Sequence, residues 1–77
     1  MELKEQQYVS NFGKNLRKLR KTYRLSQEQL ANDANIPINQ IGRIERGEIG
    51  TSLNTLHRIA TALNLPVKAL FNFEEGN

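Results

Sequence analysis

The chain has no cysteine. That excludes a disulfide staple and every metal site built on thiolates. A single histidine, His57, leaves few other soft ligands, so neither a metal nor a cofactor is expected. There is no tryptophan, and no apolar run approaches the roughly 20 residues of a membrane span. The opening MELKEQQ is too polar for a secretory signal. A soluble, cytoplasmic protein without membrane association is the expectation. Absent too are a glycine-rich phosphate loop, a metal-spaced ligand cluster and a nucleophile–histidine–acid set, so an enzyme is not expected.

What is present fits one small domain over residues 1–77. A chain of this length buries only about 60–65 % of its unfolded surface. It leaves no room for a separate sensing module, and no small-molecule ligand is expected. The net charge of +3 understates the local field. Lys14 to Arg46 holds eight basic and three acidic residues, a surplus of five, while the remainder is net acidic. A surface that meets phosphate needs such a concentration, although basic helix faces are common.

The chain is organised around SQEQLANDANIPINQIGRIERG, residues 26–47. Ser26 and Gln29 have capping-box spacing, which starts a helix. Leu30, Ala31 and Ala34 form its apolar face, and Asn35 suits a left-handed helix end. Pro37 cannot continue that helix but fits the first turn of another. In this second helix Ile41 and Ile44 point inward with Ile36 before them. Ile38, Asn39, Gly42, Arg43 and Arg46 share the opposite, polar and basic face. Asparagine and arginine can each make paired hydrogen bonds to a base edge, and an isoleucine can meet a thymine methyl. A solvated face is the ordinary reading of such a pattern. Two helices across a tight turn, the first one capped, favour the other.

Elsewhere the periodicity predicts three more helices. Phe12, Leu16, Leu19 and Tyr23 make a stripe for the first, from about Tyr8 to Tyr23, after a frayed or partly helical segment 1–7. Gly13 weakens that helix by roughly 1 kcal/mol relative to alanine. Ser52 caps the fourth, with Leu53, Leu56, Ile59, Ala60 and Leu63 as its core stripe. Val67 to Phe73 form a short last helix before a polar tail, 74–77. The expected fold class is all-α with five helices.

SQEQLA, IPINQIGRIERG and SLNTLHRIATALNL, with FGKNLRKLR upstream, resemble the Cro/lambda-repressor type of helix-turn-helix protein, the XRE family. The resemblance spans roughly Phe12 to Phe71. It implies a compact five-helix domain that binds double-stranded operator DNA, usually as a homodimer. It pairs Arg20 with Glu45 as a structural link between the first and third helices. It assigns base reading to Pro37, Ile38, Asn39 and Arg43, and a phosphate contact to Gln27. Ile38 departs from the polar residue often found there and has two readings, a thymine methyl contact or packing at the helix start. Gln40 can reach a phosphate or a flanking base, and Arg46 a phosphate. Gly42 either admits DNA closely or has no role. Thr51 stands where the family often has proline. The fourth-to-fifth-helix region often supplies the dimer contact, which implies Val67, Leu70, Phe71 and Phe73 here. A phage-type regulator, a restriction-modification controller and a small autoregulator all fit. An antitoxin-like interaction module on the same fold is the alternative.

Overall fold

The computed structural model describes residues 2–74. It contains α1 (Leu3–Thr22), α2 (Gln27–Ala34), α3 (Ile38–Glu45), α4 (Leu53–Leu63) and a closing 3₁₀ segment (Val67–Phe71). The described residues form four α-helices and no strand. The expected fifth helix is thus a 3₁₀ segment. Pro66 starts it, and five residues give too few i→i−4 bonds to favour the α form.

Local chemistry sets the boundaries. Ser26 Oγ accepts from the Gln29 amide at 3.0 Å, while the Ser26 amide donates to Gln29 Oε1 at 2.8 Å. Ser52 Oγ accepts from the Thr55 amide at the start of α4. All four helices end the same way, on a left-handed residue: Arg24, Asn35, Gly47 and Asn64. The amide beyond each returns to the last turn, as Leu25 does to the Arg20 carbonyl and Glu48 to that of Arg43.

One core is shared by all four helices and the closing segment, with α3 packed between α1 and α2, and α2 against α4. Leu16, Leu30, Ile41, Ile44, Ile59 and Leu70 are its fully buried side chains. Asn15 is buried among them and donates to the carbonyls of Ala69 and Leu70 at 3.2 and 2.8 Å. That clamp joins the closing segment to α1. Two ring pairs extend the contact, Tyr8 with Phe73 and Phe12 with Phe71, at centroid distances of 5.3 and 5.1 Å.

Four expectations change. α1 begins at Leu3 rather than near Tyr8, because LKEQQ is made of helix formers and Glu5 complements the helix dipole. Met1 lies outside the described residues, as does the expected tail except for Glu74. Tyr23 leaves the core stripe: α1 ends at Thr22, and Tyr23 is exposed at the turn. Leu53, first in α4, points to solvent at 81 % exposure, so that stripe starts at Leu56. Leu70 has no exposed surface and belongs to the core, not to an interface.

Candidate nucleic-acid interface

The back of α3 is fixed by contacts to two other helices. Arg20 donates from Nε to Glu45 Oε2 at 2.6 Å and from Nη2 to Oε1 at 3.0 Å. Its remaining nitrogen, Nη1, donates to the Leu25 carbonyl at 2.9 Å. Gln27 Nε2 adds a third bond to the carboxylate, at 3.0 Å to Oε1. The side chains of the pair are 9 % and 2 % exposed. The bond to Glu45 raises Arg20 above its ordinary pKa, so the cation persists at every usable pH. One carboxylate therefore ties the end of α1, the start of α2 and the last turn of α3.

Gly13 makes this contact possible. A Cβ there would overlap the Ile44 carbonyl oxygen and lie 2.7 Å from that of Glu45. The helix backbone of α1 rests directly on the carbonyl end of α3. A glycine that weakens its own helix is what lets two helices meet at this distance.

The front of α3 is open. Ile38 is 49 % exposed and Asn39 and Arg43 are also exposed, while Gln40 is half-buried. Ile38 is therefore not packed at the helix start. Pro37 is the exposed residue just before the helix. Gly42 is not on this open face. It is buried, and the space a Cβ would take is filled by Arg46 Nη1 at 2.9 Å, with Gln27 Oε1 at 3.7 Å. The missing side chain makes room for the Arg46 guanidinium.

Arg43 and Arg46 converge on Glu48. Arg46 Nε donates to Glu48 Oε2, and Arg43 Nε lies 3.6 Å from Oε1. The Arg46 hydrogen bond, more than the Arg43 charge beside it, holds the Glu48 carboxyl below the usual carboxylate range. All three side chains remain about half exposed. At the start of α2, the Gln27 side-chain amide is spent on Glu45. The backbone amides of Gln27 and Glu28 precede the capped one and lack an intrahelical acceptor, which leaves them open to an anion.

These features are a capped helix, a tight turn, and a second helix held from behind with a polar face outward. A family model described as helix-turn-helix matches residues 16–70. The chain belongs to the helix-turn-helix family. It is 37 % identical over 62 residues to an immunity repressor protein of Bacillus phage phi105, which covers 80 % of this chain. It spans only 43 % of that relative's length. It is 42 % identical over 58 residues to control protein C.SmaI of Serratia marcescens, covering 75 % of this chain and 69 % of the relative. The crystal structure of the restriction-modification controller protein C.AhdI from Aeromonas hydrophila has a TM-score of 0.81 at 38 % identity. That match covers 82 % of this chain and 96 % of the other. The chain is thus similar to regulators, not to enzymes. DNA-binding regulation is the activity of its family.

The helix-turn-helix geometry shows what periodicity misses. Asn15 and Gly13 carry no signal on an apolar stripe, since each acts on a backbone carbonyl of a distant segment. Glu48 reads as a loop acid that opposes phosphate. Only the turn at Gly47 brings it back beside Arg43 and Arg46.

Proposed function

We propose that this chain is a transcription regulator that binds a palindromic operator as a homodimer and lays α3 in the major groove. The carrying observation is the contrast across α3, immobilised behind by Glu45 and exposed in front at Ile38, Asn39 and Arg43. A base-reading helix needs both, because base-edge contacts discriminate only when the backbone is held in register. Asn39 and Arg43 supply the hydrogen bonds, and exposed Ile38 meets a thymine methyl, with Pro37 at the helix entry. Arg46, Gln40 and the first amides of α2 at Gln27 meet phosphates. Such a protein works in the cytoplasm. The relatives favour a controller of restriction-modification genes, since the match runs over 96 % of one such controller.

The dimer contact draws on Val67, Phe71 and Phe73. Phe71 is 36 % exposed, and it lines an apolar crevice of about 140 Å³ with Tyr8, Ile49 and Leu56. Leu53 projects from the neighbouring start of α4. A two-fold dimer sets its recognition helices about 34 Å apart, one duplex turn.

Selection from a random duplex pool at physiological salt tests the reading. It should enrich an inverted repeat with half-sites one turn apart. Binding should weaken with salt at a slope of about −0.9 per phosphate neutralised. A pool without enrichment, bound weakly throughout, would overturn the operator reading. Sedimentation as a monomer at tens of micromolar would overturn the dimer.

A further inference from the structure

We propose that Glu48 restrains the binding of operator and random DNA alike and softens its salt dependence, by occupying in the free protein the two arginines that DNA must claim. The inference rests on the operator reading above.

The turn after α3 is built to hold Glu48 in place. Gly47 takes φ +73°, and the Glu48 amide donates to the Arg43 carbonyl at 2.9 Å. The loop is thereby folded back along the helix that carries both arginines. Glu48 then divides its two oxygens, Oε2 to Arg46 and Oε1 toward Arg43. Gly42 completes the arrangement by leaving space for the Arg46 guanidinium. One carboxylate thus halves the charge that two guanidiniums present to a polyanion.

Contact with a duplex is then an exchange. Each arginine gives up a carboxylate to gain its new partner, and the freed Glu48 stays close to the phosphate backbone. On random DNA the partner is a phosphate, so one anion replaces another and the net gain is small. On the operator Arg43 gains paired bonds to a base edge, which a carboxylate at 3.6 Å does not match. Releasing both arginines from Glu48 costs the same on either duplex, so the exchange lowers both affinities and leaves their ratio unchanged. It also softens the salt dependence. Salt weakens the protein–DNA contacts, but it equally weakens the internal pairs that compete with them.

The test titrates the wild type, Glu48→Gln and Glu5→Gln against the selected operator and a random duplex of equal length, at several salt concentrations. Glu5 lies in the first turn of α1, so its variant makes the same charge change away from these arginines. Glu48→Gln should bind random duplex roughly three- to tenfold more tightly, the range expected when exposed ion pairs are released. Its salt dependence should steepen. The operator should gain by a similar factor, so the affinity ratio holds, while Glu5→Gln tightens neither duplex as much. Circular dichroism should match the wild type and melting should differ only slightly, because Glu48 is half exposed. No tightening on either duplex, or a salt dependence like that of the wild type, would overturn the inference alone. A wild type with no preference for the selected duplex would overturn the operator reading, and this inference with it.

Discussion

The protein uses the same chemical pair twice, within four residues of one helix end, and to opposite effect. Arg20 and Glu45 are buried, doubly hydrogen-bonded to each other and braced by Gln27. Arg46 and Glu48 share one hydrogen bond and stand about half in solvent. The buried pair has lost its water, so each charge depends on the other, and separating them is costly. The exposed pair can trade its partner for water, salt or phosphate at little cost. Burial decides which pair fixes the helix and which stays available to a ligand.

Removing one member of the buried pair should have the largest effect. Glu45→Ala leaves Arg20 charged with only the Leu25 carbonyl as acceptor, for an expected loss of about 3–5 kcal/mol. Denaturant unfolding should show a large drop in midpoint, and salt should not mask it. The joint replacement Arg20→Met with Glu45→Leu sharpens the comparison. An apolar pair of similar volume should recover most of the stability. It should not recover operator binding, because nothing then receives the Gln27 amide or sets the angle of α3. Full recovery of both would mean that the pair is only filler.

Gly13→Ala comes next, at roughly 2 kcal/mol. The new Cβ overlaps the carbonyl end of α3, and overpacking of this kind costs about 1–3 kcal/mol. Better helix propensity returns at most about 1 kcal/mol. A variant as stable as the wild type would show that α1 and α3 can part without loss. Because Gly13 sits under Glu45, operator affinity should fall together with stability.

How much of this was legible follows from the range of each interaction. The capping box at Ser26 and Gln29, the left-handed end at Asn35 and the inward Ile41 and Ile44 are settled by residues within a turn of one another. They were readable as pattern. Arg20 and Glu45 are 25 residues apart, and no local rule joins them. Resemblance to a known family supplied that pair. Asn15, Gly13 and Gly42 stayed hidden because each answers to backbone or a side chain on another segment. The periodicity failed at its ends. Tyr23 and Leu53 fit the spacing, but they lie where a helix stops or starts and the core no longer covers them.

On the open side of α3, Arg43→Ala should leave folding unchanged. It should cost about 1–3 kcal/mol of operator affinity and relax preference at one base pair. Fluorescence titration against operator variants reads both. An equal loss on operator and random duplex would move Arg43 to phosphate contact. It would also merge it with Arg46 on the exchangeable side of the comparison.

The smallest effect belongs to Glu48 in folding, and its pH dependence has a definite sign. The Arg46 bond lowers the Glu48 pKa in the folded chain relative to the unfolded one. A lowered carboxyl contributes its stabilisation above the unfolded pKa and loses it as pH falls through the folded value. Wild type and Glu48→Gln should therefore differ only slightly in melting temperature at neutral pH. That difference should be full above the ordinary carboxylate range, shrink as pH falls through it and vanish below the lowered folded value. Raised salt should shrink it at every pH, since both partners are screened by solvent. A large neutral-pH difference that resists salt would place the second pair with the first. Glu48 would then be part of the scaffold, and the arginines beside it would not be free to exchange.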